Sequence, residues 1–169
     1  MLETKISQYW MIAKWIALWL FHIFSNPINI TQPLDVSKID QSTTATFTVT
    51  KEEQYRISLM FVRAGDLTEM KEQEKITGNY HVEGVPLLLE LTITQDGGKI
   101  SQQTYEVSGI NGWHLISYGG RELNTAERLI KVLSLAPGDY EIRLETKRTT
   151  EAFKDIQTYA SFSYYNFIP

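Results

Sequence analysis

Val85-Pro86-Leu87-Leu88-Leu89-Glu90-Leu91-Thr92-Ile93-Thr94-Gln95-Asp96-Gly97-Gly98-Lys99 places Leu87, Leu89, Leu91 and Ile93 on one face of an extended chain, with Leu88, Glu90, Thr92 and Thr94 on the other. A period of two over this length is the pattern of a strand with one buried face. Asp96-Gly97-Gly98 supplies residues that tolerate positive φ in a tight turn, so Lys99 to Val107 is expected to return as the partner strand.

The same alternation extends in both directions. Upstream, Ala45, Phe47 and Val49 alternate with Thr44, Thr46, Thr48 and Thr50. After the polar Lys51-Glu52-Glu53-Gln54, the residues Tyr55, Ile57, Leu59 and Phe61 alternate with Arg56, Ser58, Met60 and Val62. These two strands form either a hairpin or a connection that switches sheets. Downstream, Leu129, Lys131, Leu133 and Leu135 share one face, Pro137-Gly138 supplies a turn, and Tyr140, Ile142 and Leu144 resume, which predicts a second hairpin. Tyr159 to Tyr165 closes the series as an aromatic-rich strand. Seven or more short antiparallel strands predict a mainly β protein, an antiparallel β-sandwich of immunoglobulin-like or jelly-roll-like type, with a partly closed barrel as the alternative. One segment departs from the pattern: Asp66 to Gly78 has an N-cap residue, Glu69 in the capping-box position and a terminal glycine. It predicts a short crossover helix with Leu67, Met70 and Ile76 facing the sandwich.

The chain has 169 residues, 43% of them hydrophobic and 21% charged, the balance of one ordinary folded domain. Sixteen basic residues against twenty acidic ones give a net charge of -4 and no basic footprint, which argues against nucleic acid as a partner. The absence of cysteine removes disulfides, thiolate metal sites, cysteine nucleophiles and a lipoprotein anchor.

Residues 1–25 read differently from the rest. Trp10, Trp15 and Trp19 lie there, and Lys5 and Lys14 precede an apolar run from Trp15 to Phe24 broken only by His22. This is the layout of a secretory signal peptide, shorter than the roughly 20 apolar residues of a membrane span. An uncleaved hydrophobic leader helix anchoring the chain through residues 9–24, or a buried helix of the domain, are the alternatives. The expected organisation is a leader over 1–25 and one sandwich domain over 26–169, exported to the periplasm. Asn29-Ile30-Thr31 matches a glycosylation sequon, a pattern frequent by chance.

Outside the leader the histidines are His81 and His114, in no metal-binding spacing, and no Gly-x-Ser-x-Gly elbow or phosphate loop occurs. Glu83 and Glu90 are not spaced as a diagnostic acid and base pair. The reading is a non-enzyme without cofactor or metal. Ser108 to Arg121 reads as a long, glycine-flanked loop that holds the one tryptophan beyond the leader, and long loops on sandwiches often carry function. Trp113, His114, Tyr118 and Arg121 are its candidate binding residues, since tryptophan, tyrosine and arginine anchor protein interfaces and aromatic faces stack on sugars. The plain alternative is a core-plugging Trp113, an Arg121 that pairs with a neighbouring carboxylate, and a solvated His114.

Several motifs in order resemble a known bacterial family. They are Pro33-Leu34-Asp35-Val36-Ser37-Lys38, the Tyr55 strand ending in Phe61, Gly84-Val85-Pro86-Leu87 leading to Asp96-Gly97-Gly98, then Trp113, then Leu135-Ala136-Pro137-Gly138-Asp139-Tyr140-Glu141-Ile142. Across 33–165 the chain is similar to the exported envelope proteins grouped as domain-of-unknown-function family 5625. The resemblance implies an exported β-sandwich and carries over no catalytic residue. Members often have a lipoprotein cysteine after the leader, which this chain lacks. The expected function is a non-catalytic periplasmic binding protein whose partner is another protein, in one version an immunity protein that neutralises a secreted antibacterial effector. A small-molecule or glycan-binding module and an envelope structural protein are the alternatives.

Overall fold

The computed structural model describes residues 28–165. The leader over 1–25 and its anchor alternative over 9–24 lie outside them, and no helix among the described residues is long and apolar enough to cross a membrane. Among the described residues nine strands, one helix and one 3₁₀ turn follow in order. They are β1 Asn29–Pro33, β2 Ser42–Val49, β3 Glu53–Val62, α1 Leu67–Thr77, β4 Leu87–Gln95, β5 Gly98–Val107, β6 Gly112–Tyr118, β7 Arg121–Leu135, β8 Gly138–Thr146, the 3₁₀ turn Glu151–Phe153 and β9 Thr158–Tyr164. Two antiparallel sheets form a sandwich. Sheet A has the order β1-β9-β3-β7-β6 and sheet B the order β2-β8-β4-β5.

The alternation read from the sequence sets the core. Leu87, Leu89, Leu91 and Ile93 of β4 and Ile142 and Leu144 of β8 meet Tyr55, Ile57, Leu59 and Phe61 of β3 and Ala160 and Phe162 of β9 across the interior. The β4–β5 hairpin turns at Asp96 and Gly97, both with positive φ, between the closing pair Gln95 and Gly98.

The other predicted pairs resolve differently. β2 and β3 belong to different sheets, so their link is the sheet-switching connection. The predicted hairpin at Pro137-Gly138 is also a sheet switch: β7 runs in sheet A and β8 in sheet B, where β8 pairs with β2 and β4. A proline-glycine turn satisfies a corner between sheets as well as it satisfies a hairpin, and turn chemistry cannot distinguish the two. β7 begins at Arg121, eight residues before the predicted strand, and the edge strand β1 had no clear pattern.

Helix α1 starts and stops where its caps predict. Asp66 accepts from the backbone N–H groups of Thr68 and Glu69, and Gly78 ends the helix with φ +87. Its facing is corrected in part. Leu67 is 73% exposed, because the first turn lies beyond the sandwich edge, while Met70 is half-buried and Ile76 packs on the core.

Candidate functional site

The predicted loop Ser108 to Arg121 is a strand and a turn. Gly119 and Gly120, both with positive φ, form a two-residue turn between Tyr118 and Arg121, and the residues before them pair with β7 as β6. The flanking glycines suggested a loop, yet they are punctuation at the two ends of one strand.

β6 is the outer edge of sheet A. Beside it, β5 at the edge of sheet B lies against β7, so β6 projects past its opposing sheet. In a two-residue hairpin the residues flanking the turn are hydrogen-bonded to each other, and such pairs recur at every second position. Counting back from Tyr118, the residues Ile116 and His114 bond to β7, and the backbone groups of Trp113, Leu115 and Ser117 point away from the sheet. Those three residues also carry the more exposed side chains of the strand.

The four predicted site residues are split across this hairpin. Trp113 lies opposite Ala126 on the face toward the sandwich, but at the overhanging edge, where it is 45% exposed. Its ring meets Tyr80 edge to face at 4.6 Å, and the Arg63 guanidinium lies over it at 5.4 Å. Arg63 also contacts Met70 and Glu74 of α1, which ties Trp113 to the helix. Trp113 is therefore an edge residue and not a plug between the sheets. Leu115, on the same face, is 71% exposed. Tyr118 points to the opposite, outer face of sheet A, with its ring 4.6 Å from that of Tyr159. Arg121 stands exposed at the turn and makes no hydrogen bond or ion pair among the described residues.

His114 belongs to a polar cluster that the sequence did not indicate. Its Nε2 lies 2.8 Å from Oε2 of Glu127, a carboxylate only 2% exposed. Ser58 Oγ donates to Glu127 Oε1 at 2.6 Å, Arg56 Nη1 donates to Oε2 at 3.2 Å, and Arg56 Nε lies 3.1 Å from Oε1. A buried carboxylate requires such partners to stay ionised. An ionised carboxylate only accepts, so the hydrogen on the His114–Glu127 bond sits on Nε2. Gly112 makes room for this arrangement. It lies opposite Glu127, and a Cβ there would come within 3.1 Å of His114 Nε2. Arg56, Ser58 and His114 share the outer face by alternation, but Glu127 sits in Thr125-Ala126-Glu127-Arg128, which shows no strand periodicity, so nothing in the sequence linked the four.

The arrangement differs from a nucleophilic triad. Glu127 lies between the serine and the histidine, and the Ser58 hydroxyl is committed to the carboxylate. Among the described residues, no group of three or more His, Asp or Glu side chains could hold a metal ion.

The model of the family described as domain of unknown function (DUF5625) matches residues 31–164. The crystal structure of a protein from Sulfurospirillum deleyianum is 18% identical and superposes with a TM-score of 0.62, covering 83% of this chain and 99% of that one. At that identity the likeness shows a common fold. The search of curated proteins finds no match. The family model runs from β1 to the end of β9 and takes in both sheets, the edge strand and the Glu127 cluster, and on that coverage the chain belongs to the DUF5625 family.

Proposed function

We propose that the protein is a non-catalytic, exported binding domain that takes an extended segment of another protein as an added strand along β6. The observation that carries this reading is the edge of Gly112–Tyr118, unpaired among the described residues, which presents outward backbone groups at Trp113, Leu115 and Ser117 beside two exposed apolar side chains. Sheet edges are normally blunted by charge, proline or a bulge. β1 is short and ends at Pro33, and β5 carries Lys99, Glu106 and an irregularity opposite Ile93 and Thr94. Neither β2 nor β6 has a lysine, arginine, carboxylate or proline, but β2 lies against β1, which leaves β6 as the unblunted edge among the described residues. Main-chain pairing would supply affinity, and the exposed side chains of Trp113 and Leu115 would supply selectivity.

The test is capture of partners by the tagged protein from lysates of cells expressing its neighbouring genes. Two variants accompany it. Leu115→Lys charges the edge, and Ser117→Pro removes an outward N–H while leaving the β6–β7 bonds intact. One stoichiometric partner, weakened by about tenfold or more in both variants at unchanged melting temperature, supports the reading. A partner held equally well by both folded variants overturns it. Effector neutralisation in the periplasm is the more specific form of this role. It requires in addition that the captured partner be a toxic enzyme inhibited on binding.

A further inference from the structure

The outer face of sheet A holds a cleft of about 310 Å³, at the small end of the roughly 300–1,000 Å³ of ligand pockets. We infer that this cleft binds a neutral, hydroxyl-rich small molecule of saccharide size. This site borders the β6 edge, with Leu115 in both, and its evidence is of another kind, a concentration of polar atoms with hydrogen-bonding capacity left over.

Ser163 Oγ is buried without a hydrogen bond, and so is Arg56 Nε, which lies near Glu127 but is poorly aligned with it. Ser161, itself buried, and Asn29, at the mouth, make no side-chain hydrogen bond among the described residues. His114 spends Nε2 on Glu127 and leaves Nδ1 unbonded. Buried polar groups are nearly always paired, so the buried Ser163 Oγ and Arg56 Nε, beside spare capacity on Ser161 and on the more exposed Asn29 and His114, call for a ligand that offers several hydrogen bonds at once. The strand register gathers them: Asn29 lies opposite Ser163, Ser163 opposite Arg56, and Ser161 opposite Ser58.

The class of ligand follows from charge and from donor direction. The Arg56 charge is balanced by Glu127, and the described lining contains no carboxylate, so the cleft has little net pull on an anion or a cation. With Nε2 engaged by Glu127, Nδ1 of His114 is one further hydrogen-bonding position on the lining, and a hydroxyl can meet it as donor or as acceptor. Serine hydroxyls and the asparagine amide both donate and accept, as a polyol demands. Ile28, Met60, Leu115, Ile116 and Tyr164 complete the walls and match the C–H faces of a sugar ring.

The experiment is a titration of the isotope-labelled full chain, followed through backbone amide shifts. The probes are glucose, N-acetylglucosamine and their disaccharides, with glucose 6-phosphate and gluconate as charged counterparts. The expected result is saturable shifts at Ser161, Ser163 and His114 with a neutral sugar. Affinity should fall about tenfold in Ser163→Leu, which fills the cleft, and in His114→Phe, which removes Nδ1. Arg121→Ala, remote from the cleft, should leave it unchanged. The second variant covers failure of the first to fold, as judged by melting. Tighter binding of the charged counterparts overturns the assigned class. Shifts confined to Trp113 and Tyr80, or none at about 20 mM sugar in the folded protein, overturn the site.

Discussion

Among the described residues Arg128 is the largest fully buried side chain, and it has no carboxylate partner. Its guanidinium donates instead to four carbonyls: Nε to Gly109 at 2.8 Å, Nη1 to Val85 at 3.0 Å and Val107 at 3.3 Å, and Nη2 to Thr77 at 2.6 Å. Thr77 is the last residue of α1, so the cation also faces the negative end of the helix dipole. The rings of Phe61 and Phe153 lie at 5.1 and 5.7 Å. Burial pulls the group down to about 10, which leaves it charged at neutral pH and dependent on those partners. Arg128→Met should therefore lower stability by about 3 kcal/mol in urea unfolding, because four buried carbonyls lose their donor. Arg128→Lys should restore little of it, since one ammonium cannot span a planar fork of four acceptors. A loss below about 1 kcal/mol in the methionine variant would mean that the carbonyls find water.

Single elements show how far local sequence carries. The caps of α1 were legible because capping is a contact between near neighbours, and Asp66 has its carboxyl held below the usual range by the N–H groups of Glu69 and Thr68. A carboxyl shifted down by folding contributes stability above its unfolded value, here 3.8, and loses it as pH falls through the lower folded value. Asp66→Asn caps without ionising, so the gap in melting temperature between wild type and variant should narrow or invert between about pH 5 and 2. A gap that stays constant over that range would detach the cap from its charge. β7 shows the opposite case. It skips Ile130 between the pairs Ile57–Lys131 and Ser58–Leu129, and this bulge changes which residues face inward along the strand. Before it Ala126 and Arg128 face the interior, and beyond it Leu133 and Leu135 do. A strict period of two therefore assigned Leu133 and Leu135 correctly, put Leu129 on the wrong face, and hid the arginine at the centre of the structure. The Glu127 cluster was unreadable for a related reason, since three strands contribute to it and no spacing joins positions 56, 114 and 127.

At the scale of the whole sandwich, sheet order decides which backbone groups are left for a partner. β3, β7 and β9 in sheet A and β4 and β8 in sheet B are paired on both sides, whereas β1, β2, β5 and β6 each have one side unpaired among the described residues. β1 and β2 approach each other and close one flank, and β5 runs against β7 on the other, which leaves β6 as the overhanging edge. Amide exchange should record this directly. In the isolated protein the N–H groups of His114, Ile116 and Tyr118, bonded to β7, should exchange slowly, and those of Trp113, Leu115 and Ser117 should exchange quickly. The slowest amides should lie in β3, β4, β8 and β9, whose loss requires opening the core. Addition of a captured partner should slow the three outward amides of β6 without altering their alternate neighbours, because a new strand bonds only to the groups that point away from the sheet. Equal protection at all six positions in the free protein would show the edge already covered, and a partner that left Trp113, Leu115 and Ser117 exchanging as before would bind elsewhere, which would end the strand-addition reading while leaving the cleft on the outer face untouched.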